Sequence, residues 1–563
     1  MAANSECARP RKRLGITRRE FVRQIALWGV AAGATSSLAA CTPQATATPV
    51  PGPTQAQGAA PAASPTAAPT KAPAATATPA GPKILRVRLA SDIAGIDPAF
   101  MVGLTDSLIS DCIFMGLVCQ KPNSYEWMPD AAESVVQSPD GLTIDFKLKE
   151  GIKWQKGYGE LTTEDVKYSF ERIADKNTQS PYANDWLTLD HVEIIDKYRG
   201  KIILKEPFAP LFSSTLPVNS GRIVCKKYVE QVGKDKFTLN PEVGSGPYMF
   251  AQWTPKQKIV LKRNPDYSGP HQVYYDEIHV VVIPDSMAAE VALQAGDVDH
   301  SSISAQSFKR FAADAAFKSA KYPPTFYYWI GMNVTHPKLQ DINVRQAVRY
   351  AVDVDQILAA VYYGEAERAN SMLAEGLVGY WKDAPRYNRD VQKAKDYLAK
   401  AGVSGLTLKY NCSSEASSKT QAEIVQQNLA EVGIKVDINV LDGAAVYEQG
   451  MGDNGKQIEL YSSGFSMYPD PAWATMWFTC DQVGVWNWMR WCSPEYDALN
   501  KKGITTLDPA ERAKIYIRMQ QLLDESCSMI WTTHGVNAFA WSPKVMPAMT
   551  PNGQQQLWNF RPA

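Results

Sequence analysis

Histidine is scarce in this sequence, and the short motifs that usually hold a metal ion are missing. The chain has six histidines in 563 residues, with no HExxH, no CxxC and no two histidines four positions apart. A zinc protease or a structural zinc site is therefore not expected. The G-x-S-x-G motif, which presents a nucleophilic serine on a strand-to-helix turn, is missing too. The sequence thus predicts no catalytic residue, no metal and no cofactor.

The chain also lacks a surplus of charge. It has 58 Lys and Arg residues against 58 Asp and Glu residues, whereas proteins that bind nucleic acids usually carry a basic surplus on one face. The balance is uneven along the chain, because eight of the basic but only two of the acidic residues lie within positions 1–82. The rest, with 50 basic and 56 acidic residues, is a mildly acidic body, and no nucleic-acid partner is expected.

Long apolar runs are confined to the leader. Basic residues are followed by the apolar stretch 25–40, which ends in small residues, as in a secretory signal peptide over residues 1–40. Beyond it, no run of about 18 apolar residues could span a bilayer. Arg18 and Arg19 precede Phe21, an arrangement that resembles the twin-arginine signal for the export of folded proteins.

The end of this leader predicts a lipid anchor. Leu38-Ala39-Ala40-Cys41 resembles a bacterial lipobox, in which Cys41 receives the lipid and becomes the new N-terminus. Residues 42–82 are almost entirely Ala, Thr and Pro, which predicts a disordered tether over 41–82. We therefore expect an extracytoplasmic lipoprotein, on the periplasmic or cell-surface side, whose lipid anchor makes the cell membrane one of its partners.

Seven cysteines follow the tether, an odd number that leaves at least one thiol unpaired. Export makes disulfides possible. Cys480 and Cys492 lie twelve positions apart in a tryptophan-rich stretch and are the predicted pair. Two free buried thiols are the alternative.

Hydrophobic periodicity predicts α/β units in the body. Residues 421–431 place apolar side chains on one helical face, Gly433 suits a C-terminal cap, and 434–440 alternate as in a strand. A second helix over 390–401 leads to a strand over 406–410. The fold class is therefore α/β with mixed sheets.

Several landmarks carry a resemblance that covers nearly the whole mature chain. They are Trp127-Met128-Pro129-Asp130-Ala131-Ala132-Glu133-Ser134, Leu161 to Phe170, Gly244-Ser245-Gly246-Pro247-Tyr248, Arg263-Asn264-Pro265-Asp266-Tyr267, Val344-Arg345-Gln346-Ala347 and Ala351-Val352-Asp353. In this order and spacing they resemble the family 5 extracellular solute-binding proteins, which serve ABC importers of peptides, nickel, opines and some oligosaccharides.

The resemblance implies a two-lobed periplasmic-binding-protein-like fold of type II, cluster C, with an extra inserted α+β domain. Carried onto this chain, it divides the body as follows: lobe one at 84–112, 241–330 and 532–563, the inserted domain at 113–240, and lobe two at 331–531. ABC permease subunits are the expected protein partners, and a monomer is expected.

The richest candidate for a ligand wall is the aromatic stretch 465–491, because a good site offers apolar walls with a few polar groups. Trp477 and Phe478 are interpreted as packing residues. The predicted ligand-binding residues of this stretch are Phe465, Tyr468, Asp470, Trp473, Trp486 and Trp488.

Two positions depart from what the resemblance implies for peptide binding. Peptide-binding relatives place a carboxylate near this stretch for the peptide's α-ammonium group, and Asp470 is the only acid near it here. Met115, also included in the predicted site, stands where relatives usually have Glu. Because both departures remove negative charge, the predicted small-molecule solute is a peptide or, equally, an oligosaccharide.

The leading hypothesis is a binding protein without catalysis that delivers its solute to a separate permease. The alternatives are a secreted hydrolase, which would need a nucleophile or paired carboxylates in the cleft, and a surface sensor that transports nothing.

Overall fold

The computed structural model describes residues 82–101, 103–443 and 445–563. The predicted signal peptide over 1–40, the lipidated Cys41 and nearly all of the tether lie outside these residues. Within them, no helix has both the length and the apolar composition that crossing a bilayer requires.

Twenty strands are present in the described part of the chain. In order they are β1 (Ile84–Leu89), β2 (Val118–Gln120), β3 (Trp127–Pro129), β4 (Ala132–Gln137), β5 (Thr143–Leu148), β6 (Leu189–Ile194), β7 (Arg199–Leu204), β8 (Tyr248–Thr254), β9 (Lys258–Arg263), β10 (Glu277–Val282), β11 (His300–Ile303), β12 (Lys318–Tyr322), β13 (Phe326–Met332), β14 (Thr407–Ser413), β15 (Lys435–Leu441), β16 (Leu460–Ser466), β17 (Met529–Thr533), β18 (Asn537–Trp541), β19 (Val545–Met546) and β20 (Arg561–Pro562).

The α-helices lie between these strands, singly or in groups of two or three. They span Leu104–Ile113, Thr163–Ala174, Lys226–Val232, Lys234–Leu239, Ser286–Ala295, Ala305–Ala313, Ile342–Ala351, Val354–Tyr362, Val391–Ala401, Ala416–Ala430, Ala445–Glu448, Ala472–Thr475, Pro494–Thr505 and Pro509–Ser526.

The first sheet has seven strands in the order β12-β18-β11-β1-β10-β9-β8. β1 lies parallel to β10 and to β11, and Leu85 and Val87 of β1 are fully buried. β18 comes from the C-terminal part of the chain and lies between β11 and β12, antiparallel to both. This sheet is therefore complete only when both ends of the described chain are in place.

The second sheet has five strands in the order β15-β14-β16-β13-β17. The predicted helix at 421–431 and the strand after it are present, but the helix begins five residues earlier, at Ala416. Its first turn, Ala416 to Thr420, is mostly polar, so periodicity gave no sign of it. Helices cover one face of this sheet, where Ile330 and Val425 belong to one core cluster, and an aromatic-rich cluster covers the other face.

A four-stranded antiparallel sheet, β4-β5-β7-β6, is packed on the helix Thr163–Ala174. The predicted capping arrangement is present, because the Asp165 carboxylate accepts the backbone N–H of Thr162 at 3.0 Å. The inner face of the helix, which includes Phe170 and Ile173, is fully buried and shares one core with the first sheet.

The chain passes between the first and second sheets twice. One crossing joins β12 to β13 over residues 322–326, and the other joins β17 to β18 over residues 533–537. The sequence placed the first crossing at residue 330, but the whole of β13 pairs within the second sheet. The true boundary carries a turn signal, Pro323-Pro324 between β12 and β13, whereas β13 itself runs as an uninterrupted Phe-Tyr-Tyr-Trp-Ile-Gly-Met and offers no break at residue 330.

Candidate functional site

The two sheets face each other at the ends of their parallel strands. In the second sheet β14, β15, β16 and β17 all run in one direction, and their carboxyl ends lie at the edge where β13 begins. In the first sheet β1, β10, β11 and β12 end at the edge from which the chain crosses. Ligands of open α/β sheets bind outside the carboxyl ends of such strands, which makes the space between these two edges the candidate site.

Aromatic side chains line this edge of the second sheet. Phe326 and Tyr328 lie two positions apart on β13, on the same face, and their rings stack with centroids 5.5 Å apart. Gly464 on β16 lies opposite Tyr328, and a Cβ atom there would be 2.4 Å from Tyr328 Cδ1. Only glycine therefore lets the Tyr328 ring lie flat against the strand.

One carboxylate acts on three tyrosines at this edge. Glu415 follows β14 and precedes the helix Ala416–Ala430, and surrounding protein atoms raise the pKa of its carboxyl. Burial, and after it the charge of Glu415, raises the pKa of Tyr328 to about 12. The pKa values of Tyr362 and Tyr447 are raised by burial first and by Glu415 in second or third place. The edge thus combines aromatic walls with one acidic group.

Some side chains of the aromatic stretch 465–491 pack in the core, and others lie at its rim. Phe465 is half-buried and contacts the rings of Trp477 and Trp486, each at 5.8 Å between centroids. Its ring also lies 5.0 Å from that of Trp329, which is 1% exposed in the core of the second sheet. Phe478 is buried, as its interpretation as a packing residue requires. Phe465 and Trp486 therefore lie at the rim of a core cluster.

Two predicted ligand residues lie inside cores. Trp488 is 2% exposed, its indole N–H donates to the Val485 carbonyl at 2.9 Å, and its ring packs on Tyr461. Met115 is 1% exposed and belongs to the core under the first sheet, where its backbone carbonyl accepts from Ile223. Neither side chain has a surface to offer a solute, in contrast with the predicted role.

Asp470 forms a buried ion pair. Both of its oxygens accept from the Arg512 guanidinium, at 2.9 and 3.0 Å. Ser213 Oγ and the backbone N–H of Ala472 donate to the same carboxylate at 2.6 and 3.0 Å. The side chain is 1% exposed. Four donors occupy the lone pairs of the carboxylate, so this geometry leaves no acceptor for a ligand's ammonium group.

Tyr468 and Trp473 contact the four-stranded region instead. The Trp473 indole N–H donates to Ser214 Oγ at 3.0 Å, and the Tyr468 ring lies edge-on to that of Trp473 at 5.2 Å. Tyr182, from the same region as Ser214, contacts the Tyr468 hydroxyl, and burial raises the pKa of Tyr468. The predicted residues Tyr468, Asp470 and Trp473 are thus brought together where the second sheet's lobe meets the inserted segment.

The tryptophan-rich loop is closed covalently. A disulfide joins Cys480 to Cys492, with Cα atoms 4.6 Å apart. The remaining cysteines of the described chain are free and buried: Cys112, Cys119, Cys225, Cys412 and Cys527.

Sequence reasoning missed the residues at the edge of the second sheet. Tyr328, Glu415 and Tyr447 are far apart in sequence, and none belongs to a recognisable motif. The signal that could have found Glu415 and Tyr447 is their position just after predicted strands, because residues that follow parallel strands collect at one edge.

Comparison of the sequence with models of known protein families identifies the family of this chain. The sequence model described as "Bacterial extracellular solute-binding proteins, family 5 Middle" matches residues 126–484, more than half of the chain. The chain belongs to this family. Its members are extracellular solute-binding proteins, as the description states.

Curated relatives are similar over most of the chain. The "Di/tripeptide-binding protein 1" of Pseudomonas aeruginosa is 28% identical over 484 residues, which cover 78% of this chain and 87% of the relative. The "Dipeptide-binding protein" of Escherichia coli is 26% identical over 474 residues, with the same coverage of both chains.

Solved structures establish the two-lobed α/β fold. HbpA2 from Haemophilus parasuis matches with a TM-score of 0.77 and 24% identity, covering 85% of this family 5 protein and 100% of HbpA2. DppA from Helicobacter pylori, solved in complex with a peptide, matches with a TM-score of 0.69 and 24% identity over 85% of this chain and 98% of that chain.

Proposed function

We propose that the protein binds a short peptide between its two lobes, leaves it chemically intact and delivers it to the membrane permease of an ABC importer. The observation that carries this proposal is the family membership, together with relatives named for di- and tripeptides over most of their length. The aromatic edge of the second sheet supports it, because peptide side chains need apolar walls and the termini need a few polar groups.

Contacts between lobes support a closing mechanism. Ser213 and Ser214, in the segment Leu211–Thr215 of the inserted domain, bond to Asp470 and Trp473 of lobe two. The backbone N–H of Ala209 also donates to the Ile504 carbonyl at 2.9 Å. A solute that touches both lobes favours the closed state by its differential affinity.

We propose Glu415 as the acceptor of the peptide's α-ammonium group. Asp470, the acid suggested by sequence position, already has four donors. Glu415 lies just beyond the carboxyl end of β14, and a cation beside its carboxyl would favour the charged form that neighbouring protein atoms disfavour. Tyr328, Tyr362 and Tyr447 would then flank the first residues of the peptide.

Glu415→Gln tests this assignment. We expect affinity for a dipeptide with a free amino terminus to fall about tenfold, because a charge-assisted hydrogen bond is replaced by a neutral one. Binding of the same dipeptide after N-acetylation should be weak in both proteins and should not change further. Glu423→Gln, an exposed change on the same helix, is the matched control. Equal dipeptide affinities for wild type and Glu415→Gln would exclude the assignment.

A solute screen tests the function itself. Thermal unfolding with di-, tri- and oligopeptides, cello- and manno-oligosaccharides and nickel chelates should show a rise in melting temperature for short peptides, since a ligand at 100 times its Kd adds about 2.7 kcal/mol. Mass spectrometry of the recovered solute should find it unaltered. A shift only with an oligosaccharide, or conversion of the solute to product, would overturn the peptide proposal.

The leader supports a tethered location for this function. We propose that Cys41 carries a lipid and that the Ala/Thr/Pro segment after it holds the lobes near the permease. The lobes would then capture solute outside the membrane within reach of their transport partner.

A further inference from the structure

Three side chains with metal-binding atoms meet outside the candidate peptide site. Cys119 lies on β2, Asp130 directly follows β3, and His271 lies in the connection between β9 and β10. One ligand atom of each residue lies within 4.8 Å of the others. Cys119 and Asp130 are buried, with 2% and 4% exposure, while His271 is only partly buried and gives access from solvent.

The spacing matches a tetrahedral metal centre. The distance from Cys119 Sγ to His271 Nε2 is 3.5 Å. With Zn–S near 2.3 Å and Zn–N near 2.0 Å, two ligands of a tetrahedral zinc ion lie about 3.5 Å apart. A small movement of the Asp130 carboxylate would bring the third ligand to the same spacing. A thiolate, an imidazole and a carboxylate together form a set that borderline-soft Zn²⁺ accepts.

One oxygen of the Asp130 carboxylate accepts a hydrogen bond, and the other has no partner among the described residues. Its Oδ2 atom accepts the backbone N–H of Gly116 at 3.0 Å, which orients the group. Its Oδ1 atom is buried and has no hydrogen-bond partner among the described residues. A buried carboxylate oxygen without a hydrogen bond is unfavourable, and in proteins such an atom usually contacts an ion or an ordered water molecule. A bound cation would satisfy it.

Two protein cations lie beside the three side chains, and each has a partner of its own. Arg222 is the nearest guanidinium, but it forms a buried ion pair with Asp111 at 2.7 Å. The Lys149 ammonium group donates to the backbone carbonyl of Asp130 at 2.7 Å.

We propose that Cys119, Asp130 and His271 bind one Zn²⁺ ion, with a water molecule in the fourth position. The ion would join the β2-β3 hairpin to a connection of the first sheet, between residues 152 positions apart. By bridging these segments, the ion would fasten the inserted domain to the lobe that carries it. The sequence predicted no metal because these ligands share no short spacing.

Metal titration of the full-length, untagged protein tests the proposal. After removal of metal with a chelator, we expect one Zn²⁺ per chain by calorimetry and by elemental analysis after dialysis. Co²⁺ in the same site should give a thiolate-to-cobalt charge-transfer band in the near ultraviolet. Protease cleavage of the β2-β3 hairpin should slow when Zn²⁺ is bound.

Variants identify the ligands. Cys119→Ser and His271→Gln should each weaken Zn²⁺ binding by more than about a hundredfold, because even loss of an outer partner of a metal ligand costs 10–100-fold. Cys412→Ser, a buried free thiol of the second sheet, should bind Zn²⁺ as wild type does. His271→Gln keeps both buried ligands, and its unfolding without metal shows whether the variant is folded.

Two results would overturn the proposal: no Zn²⁺ bound by the wild-type chain, or unchanged Zn²⁺ affinity and cobalt spectrum in both ligand variants. Peptide affinity, measured separately with and without Zn²⁺, reports on the proposed transport function and does not enter this test.

Discussion

Asp470→Ala is expected to lower the free energy of unfolding by about 3–5 kcal/mol, since removal of one partner of a buried ion pair leaves the other charge uncompensated. Arg512 would remain in a site where its side chain is 6% exposed. It would keep the Gly503 carbonyl, at 2.9 Å from Nε, but no carboxylate. Ser213 would also lose its acceptor, which weakens the contact between the lobes.

Chemical denaturation of wild type and variant measures this loss. Asp437→Ala is the matched control, because Asp437 pairs with Lys435 on the surface and both side chains are more than half exposed. That change should alter stability little, as exposed ion pairs generally contribute little. A variant of Asp470 that keeps wild-type stability but loses peptide affinity would instead give this residue the role of ligand carboxylate.

Loss of the Cys480–Cys492 disulfide is expected to cost about 3 kcal/mol, the entropy that a closed loop of this length removes from the unfolded chain. The double variant Cys480→Ser, Cys492→Ser should therefore unfold at a lower denaturant concentration. The loop carries Trp486 and Trp488, so its tryptophan emission should change in the same transition as the rest of the lobe.

Reductant provides the control for this experiment. Treated wild type should approach the stability of the double variant, whereas the variant itself should not respond, because the other cysteines of the described chain are free. If reductant destabilised both proteins equally, the effect would have to come from another source. If neither reductant nor substitution changed the unfolding midpoint, the disulfide would have no part in stability.

Sequence patterns predict those elements well that depend on interactions between residues close together in the chain. The capping residues Thr162 and Asp165 lie three positions apart, and a helix followed by an alternating strand shows its own period. The crossing before residue 326 has a local signal as well, Pro323-Pro324, but the boundary carried over from the family resemblance falls at residue 330, inside strand β13.

The site depends on distant partners, which periodicity does not report. The position of Asp470 between two prolines in the aromatic stretch suggests a ligand-binding role. Its carboxylate is instead bound by Arg512, which lies 42 positions further along the chain. Trp488 looked available in sequence, yet Tyr447 and Tyr461 pack on it. Such pairings follow from sheet order and helix packing, so they become visible only in three dimensions.

The position of β18 has a consequence for biosynthesis. This strand pairs with β11 on one side and with the edge strand β12 on the other, so the place between them stays vacant until the ribosome has made residue 541. During translation the edges of β11 and β12 stay open to wrong pairing. The second sheet, whose last strand ends at Thr533, can assemble earlier. The four-stranded sheet, complete at Leu204, would then form first, and strands β17 and β18 would complete the two larger sheets last.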